Sequence, residues 1–241
     1  MNGHTNLEER PAPTRRPRRL SFGWLLGLAP VRRIIIDLFH ILYYGSDRLP
    51  SGWGDVSWMG QPVMKCPFDL WIYQEILHRL RPDVIVESGT AHGGSALYLA
   101  GICDLLGNGR ILSIDLQQRP GLPDHPRLQY LNGSSTAPLI LDQVGDSIKP
   151  NERVMVVLDA CHRKQHVLEE LRLYSRFVSL DSYLVVEDTN INGHPVWRRF
   201  GAGPYEAVQE FLKQDGRFVV DRSLEKFWLT FNPGGYLKRV T

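Results

Sequence analysis

Residues 84–100 read Val84-Ile85-Val86-Glu87-Ser88-Gly89-Thr90-Ala91-His92-Gly93-Gly94-Ser95-Ala96-Leu97-Tyr98-Leu99-Ala100. A short β-branched run that meets glycines and then an apolar stretch marks a buried parallel strand handing over to a helix. That junction predicts a ligand site. The helix start presents unpaired N–H groups and the positive end of its dipole, and glycines admit close approach to the backbone. The acid at the strand tip narrows the ligand: a carboxylate at Glu87 repels a pyrophosphate and suits a cationic ligand, one carrying an ammonium or a sulfonium.

The glycine spacing separates the nucleotide readings. Dinucleotide binding asks for G-x-G-x-x-G, but Gly89 is followed by Ala91 and then by the pair Gly93-Gly94, so the second glycine is missing. No Gly-Lys-Ser/Thr follows either, which excludes a P-loop. An acid and then Gly-x-x-x-Gly is similar to the S-adenosylmethionine (SAM) site of class I methyltransferases; the alternative is a structural glycine turn in some other α/β protein. Residues 110–115, Arg-Ile-Leu-Ser-Ile-Asp, add a second buried run ending in an acid. Asp115 lies 26 residues past Gly89, near the roughly 20 expected of a carboxylate that grips ribose hydroxyls.

Further along, residues 128–131, 154–158 and 183–186 predict three more strands. The last two end in Asp159 and in Glu187-Asp188. Asn132-Gly133-Ser134-Ser135-Thr136 is small and polar, where an adenine edge would lie, and is equally suited to cap a helix over 137–144. Asp69 is expected to cap a helix over 70–80. Pro204 opens another helix. Residues 217–221 and 226–231 are expected to form a closing hairpin. Alternating β and α with an antiparallel end predicts an α/β fold: a class I methyltransferase (Rossmann-like) sheet of seven strands, mostly parallel.

Asp159, Glu187 and Asp188 would stand together at the tips of adjacent strands. Three crowded carboxylates repel one another unless a cation neutralises them, and all-oxygen ligands favour Mg2+ over zinc. His162, three residues past Asp159, is placed to take a proton from an acceptor hydroxyl. His162 and His166 share helical spacing, but no third nitrogen or sulfur ligand stands near them in sequence, so zinc is not expected.

The 241 residues, 43% hydrophobic, suit one large domain. Residues 1–33 carry seven arginines against two glutamates, a net of +5, whereas the remainder has 21 bases and 24 acids, a net of −3. The body is therefore no nucleic-acid binder by charge. Cys66, Cys103 and Cys161 lack C-x-x-C spacing and suit buried thiols in a reduced compartment. Residues 11–19 read as disordered. The apolar run at 20–29 is too short to span a bilayer and no small-x-small cleavage site is evident, which argues against export. Residues 31–44 predict an amphipathic helix that packs on the body or on a neighbouring subunit, and with the arginines it suits contact with anionic membranes. Residues 50–69, rich in Trp, Gly and Pro, read as a lid or clamp on the site, or as an aromatic plug.

Several stretches together resemble the cephalosporin hydroxylase and rhamnosyl O-methyltransferase family, from about Trp58 to Leu237. They are Trp58-x-Gly60 to Lys65, Asp69-Leu70-Trp71, Glu87-Ser88-Gly89-Thr90 with Gly93-Gly94-Ser95, Leu158-Asp159-Ala160-Cys161-His162, Val186-Glu187-Asp188-Thr189, Gly203-Pro204-x-Glu206 and Asn232-Pro233-x-Gly235-Tyr236-Leu237. The resemblance implies a SAM- and Mg2+-dependent O-methyltransferase, often an oligomer, that acts on small natural products or on sugar hydroxyls such as those of rhamnosyl or other deoxysugars. It implies Asp159, Glu187 and Asp188 as metal ligands. Lys65, Glu87, Gly89, Thr90, Gly93, Gly94, Ser95, Asp115, Ser134, Ser135 and Asp159 form the expected cofactor set, with Asp159 and His162 as catalytic groups. Catechol O-methyltransferases look similar but carry lysine where His162 stands; Lys164 is the next choice of base. The oxygenase in the family name is not expected here, since non-haem iron sites commonly begin H-x-D/E and none of the eight histidines is followed two places later by an acid. The remaining alternative is a non-catalytic partner that binds SAM or a sugar without turnover. The resulting picture is a basic extension over 1–49 and a methyltransferase domain over 50–241, cytoplasmic or membrane-associated, forming a homo-oligomer and taking a small or glycosidic acceptor.

Overall fold

The computed structural model describes residues 28–44 and 52–241. The basic start at 11–19, the apolar run at 20–27 and the first positions of the 50–69 loop lie outside the described residues. Two compact units divide between Ile35 and Ile36. Among the described residues the first holds only the opening of α1 (Ala29–Tyr43), a helix where an amphipathic one is expected.

The second unit continues with a small hairpin, β1 (Ser57–Trp58) and β2 (Gln61–Pro62), then α2 (Pro67–Leu80), β3 (Val84–Ser88), α3 (Gly94–Leu106), β4 (Arg110–Asp115) and β5 (Leu128–Asn132). After these come α4 (Pro138–Ser147), β6 (Val154–Leu158), α5 (Lys164–Tyr174), β7 (Tyr183–Val186), α6 (Pro204–Gln214), β8 (Phe218–Val220) and β9 (Tyr236–Arg239). Seven strands form one sheet in the order β5-β4-β3-β6-β7-β9-β8. The first five run parallel, and β9 pairs antiparallel with both β7 and β8.

The central strands are rich in β-branched residues and buried along their whole length, as strands covered by helices on both faces must be. Alternate residues serve opposite layers. Val84, Val86, Val156, Leu158, Leu184 and Val186 pack beneath α4, α5 and α6, while Ile85, Met155, Val157 and Val185 pack beneath α2 and α3. Because β4 and β6 flank β3, the chain order reverses there, and a crevice opens beyond the carboxyl ends of these strands. The register sets Ser88 opposite both Ile114 and Leu158, so Gly89, Asp115 and Asp159 emerge at one level.

Two local expectations change. The partner of β8 is β9, not residues 226–231. In that stretch the Phe231 N–H donates to Asp69 Oδ2 at 2.8 Å, its carbonyl accepts from Asn190 N at 3.0 Å, and Trp228 has φ +62, so no ladder forms. Asp69 is not a cap either. The helix begins at Pro67 behind Cys66, with Asp69 buried in its first turn and accepting from Phe231 N, from Thr230 Oγ1 and, at 2.8 Å, from Tyr236 Oη. One carboxylate thus ties α2 to β9 and to the loop before it.

Asp69→Ala should orphan the Phe231 N–H and the Tyr236 hydroxyl, each buried unpaired group costing about 1–3 kcal/mol. Urea denaturation is expected to show a loss of that order, and an unchanged midpoint would contradict the assigned role.

Candidate active site

Side-chain parity builds the site. Ile85, Val157 and Val185 face α2 and α3, so Glu87, Asp159 and Glu187, two positions further on, turn the same way at the strand tips. Lys65 meets them. Its Nζ lies 2.7 Å from Asp159 Oδ2 and 3.0 Å from Glu187 Oε1, with the side chain 4% exposed. The Tyr73 hydroxyl donates to Glu187 Oε1. Burial alone pulls the ammonium toward neutrality, but Asp159, Glu187 and Glu87 hold its pKa well above the ordinary lysine value. Glu87 is fully buried. Its Oε2 accepts from Ser113 Oγ at 2.8 Å, whereas Oε1 has no partner among the described residues. Burial pushes the Glu87 carboxyl up to about 7 despite Lys65.

Asp188 turns away from that layer. Its backbone adopts φ +54 just past β7, and its N–H donates to Asn232 Oδ1 at 2.9 Å. The carboxylate comes to 3.2 Å from His162 Nε2. Burial first, then crowding by Asp159 and Glu187, raises the Asp188 carboxyl above the usual carboxylate range. Asp159, His162 and Asp188 each offer one ligand atom, all within 4.8 Å of one another. Oxygen donors under mutual repulsion fit a hard divalent cation such as Mg2+. Of the three expected metal ligands, the structure brings Asp159 and Asp188 together and leaves Glu187 beside them, engaged by Lys65 and Tyr73.

Two glycines shape the crevice floor. Gly89 has φ +94, and a Cβ there would lie 2.1 Å from the Asp159 carbonyl oxygen; at Gly94 it would lie 2.0 Å from the Pro62 carbonyl oxygen. The hairpin is thus a clamp on the glycine turn, and Trp58 also rests edge-on against Tyr98, 4.9 Å between centroids, so clamp and aromatic plug are one element. Gly93 supplies the left-handed N-cap of α3, Thr90 Oγ1 lies 2.7 Å from Ser113 Oγ, and Ser95 is buried in the first helical turn.

A cleft of about 370 Å³ runs along this floor, lined by Gly89, Asp115, Gly133, Ser134, Ser135 and Asp159 among others. Asp115 is aimed by the N–H groups of Ala91 at 2.9 Å and Gln117 at 3.1 Å. Ser135 Oγ lies 3.2 Å from His166 Nε2, and the Tyr174 hydroxyl fixes the Ser135 carbonyl at 2.7 Å. A second cleft, about 200 Å³, shares Gly89, Ala91, Asp159 and Ala160 and ends at His162 and Asp188, under walls that include Tyr44, Trp53 and Trp197.

Sequence reasoning does not place Tyr44, Tyr73 or His166 here, whereas Trp53 falls in the 50–69 stretch expected to cover the site. Tyr44 and Trp53 stack at 5.2 Å, a contact no local spacing announces. His166 lines the first cleft from the opening turn of α5, whereas His162 precedes that helix and lines the second, so their i, i+4 spacing is not a helical one. Cys161, expected to be buried, is exposed and lines the first cleft. Lys164 pairs with Glu210 at 2.7 Å, which commits it to α6.

Residues 51–240 match the family described as Rhamnosyl O-methyltransferase/CmcI. The chain belongs to that family. The rhamnosyl O-methyltransferase of Mycobacterium leprae is 38% identical over 213 residues, covering 85% of this chain and 90% of the relative. The fold is shared with an apo structure of CmcI at TM-score 0.64 and 20% identity, covering 97% of this chain and 90% of that one. A CmcI structure described as containing Mg and SAM gives TM-score 0.60 at 19% identity, covering 96% and 89%. Membership in the Rhamnosyl O-methyltransferase/CmcI family makes this chain an O-methyltransferase and does not favour the reading as a non-catalytic partner.

In the ligand-free protein Glu87 binds protons more readily folded than unfolded. Its ordinary pKa is near 4.3 and its folded value about 7. The associated stability is fully present below pH ~4 and is lost as pH rises toward 7. Chemical denaturation between pH 4 and 8 should show that fall, flattened in Glu87→Gln; an equal fall in the variant would assign it to another group.

Proposed function

We propose that the chain transfers the methyl group of SAM to a hydroxyl of a sugar or small natural product, a rhamnosyl or other deoxysugar unit being the favoured acceptor. The observation that carries this reading is the pair of clefts that meet at Gly89, Ala91, Asp159 and Ala160, one carrying Asp115, Ser134 and Ser135 on its wall, the other ending on His162 and Asp188. The relative's rhamnosyl substrate class and the Mg and SAM of the CmcI neighbour support it.

When bound, SAM supplies an electrophilic methyl group, and Mg2+ held by Asp159 and Asp188, with Glu187 beside them on Lys65 and Tyr73, would supply Lewis-acid stabilisation of a developing alkoxide. Asp115, held by two backbone N–H groups, is positioned for ribose hydroxyls, and Ser134 and Ser135 for the adenine edge. Glu87 sits behind the glycine turn, where its ionised form would favour a sulfonium. Magnesium's preference for oxygen leaves the His162 imidazole available as base. His162 takes the acceptor proton, and Asp188, 3.2 Å from its Nε2, stabilises the resulting imidazolium. Tyr44, Trp53 and Trp197 wall the acceptor side from water. Exposed Leu38, Ile41 and Leu42 on α1 support a role for that helix in self-association or in contact with anionic membranes; no described helix is long and apolar enough to cross a membrane.

Metal and base should fail differently. Asp188→Ala is expected to abolish turnover while calorimetric SAM affinity persists, because Asp188 does not line the first cleft. His162→Ala should lower kcat by about 10²–10⁴ and recover partly at higher pH, where hydroxide substitutes for the imidazole. A wild-type rate in His162→Ala would move the base elsewhere.

A further inference from the structure

The segment after β7 carries features that methyl transfer to a neutral sugar leaves unexplained. Between Asn190 and Gly203 the chain is wound tightly: Asn192, Gly193, Trp197 and Gly201 all have positive φ, between +47 and +90. For a residue as large as Trp197 that conformation is strained, and it persists only where surroundings impose it. They do so here. Gly193 N donates to Val196 O at 2.7 Å, Phe200 N to Trp197 O at 2.8 Å, and Arg163 Nη1 to Phe200 O at 2.7 Å. The Arg163 guanidinium also covers the Phe200 ring at 4.5 Å.

Trp197 is held so as to form part of two walls. It lines the acceptor cleft with His162 and Asp188, and it lines a second, open groove together with Arg198, Arg199 and Phe200. Arg198 and Arg199 are exposed, and neither has a carboxylate partner among the described residues. Elsewhere on the body some arginines pair closely with carboxylates, Arg110 with Glu152, Arg127 with Asp104, Arg217 with Asp215 and Arg222 with Glu225, at 2.5–2.8 Å, and others are held by backbone carbonyls, Arg81 by Leu106, Arg153 by Leu80 and Arg239 by Val178. Two adjacent unpaired guanidiniums beside the acceptor mouth, in a protein whose body is net acidic, form a local field for an anion. Guanidinium geometry matches phosphate oxygens in bidentate fashion.

We propose that Arg198 and Arg199 form an outer subsite for a phosphate on the acceptor, so that the natural acceptor is a sugar phosphate ester, with the sugar beneath Trp197 and its anomeric phosphate outside the groove, against the exposed guanidiniums at its rim. The proposal rests on the reading of the inner cleft as the sugar site. A single phosphate, as in a sugar 1-phosphate, and a pyrophosphate, as in a nucleoside-diphosphate sugar, share this chemistry.

The test uses the full chain with SAM and Mg2+ and three acceptors: rhamnose 1-phosphate, a nucleoside-diphosphate rhamnose and neutral 4-nitrophenyl rhamnoside. KM for at least one phosphorylated acceptor should lie about tenfold or more below that of the neutral glycoside, and added salt should narrow the gap. The double variant Arg198→Ala/Arg199→Ala should raise KM for the phosphorylated acceptor by about 10- to 100-fold, leaving kcat and the neutral glycoside unchanged. Arg198→Lys/Arg199→Lys should recover part of the loss. Whichever phosphorylated acceptor is preferred identifies the source of the phosphate. Equal KM values for neutral and phosphorylated acceptors, or a variant that weakens all three alike, would overturn the subsite. If none is methylated, calorimetric titration of the same compounds onto protein loaded with Mg2+ and S-adenosylhomocysteine separates the two claims. Phosphate-dependent binding lost in the double variant upholds the subsite and refutes the methyl-transfer reading of these acceptors, and no binding refutes the subsite.

Discussion

The buried ammonium of Lys65 is the charge on which the active-site end depends. Four carboxylates, Glu87, Asp159, Glu187 and Asp188, converge where three parallel strands end, and Lys65 is paired with two of them at 2.7 and 3.0 Å. Carboxylates so crowded and so little solvated would otherwise have to take up protons. Even with the lysine in place, burial raises Glu87 and Asp188. Lys65 offsets only one of the four charges, and the excess negative charge faces the cleft, where Asp159 and Asp188 meet His162. Lys65 neutralises the layer beneath α2, and a divalent ion suits the layer above.

Position within a strand decides which acid does which job. Glu87, Asp159 and Glu187 inherit the α2–α3 side from Ile85, Val157 and Val185 by the two-residue alternation of a pleated strand. Asp188 escapes that alternation through its left-handed backbone and the Asn232 amide that receives its N–H. The glycines then let the pieces close. Gly89 lies against the Asp159 carbonyl and Gly94 against the Pro62 carbonyl, so a side chain at either would push the metal edge or the hairpin clamp away from the cofactor floor.

Much of this was legible in the sequence because it is local. The apolar runs 84–88, 110–115, 128–131, 154–158 and 183–186, the acids at most of their tips and the Gly89 to Gly94 spacing announce five parallel strands and a ligand crevice without any long-range information. What was not legible depends on partners far apart in the chain. Residues 226–231 look like a strand, yet Asp69, 162 positions before Phe231, takes the backbone N–H that a ladder would need. Glu187 and Asp188 look equivalent as neighbours, and only Lys65 and Tyr73, supplied by other segments, separate their roles. The aromatic wall of Tyr44, Trp53 and Trp197 joins three stretches that no periodicity connects.

Incubation of the full chain with deuteriomethyl SAM and a rhamnosyl acceptor, before and after exhaustive chelation, followed by mass spectrometry and NMR of the product, tests the central claim most directly. The account predicts a trideuteriomethyl group on a sugar oxygen, its formation lost on chelation and restored by Mg2+. Undiminished transfer in the metal-free protein, or a methyl group placed on carbon or nitrogen, would contradict it.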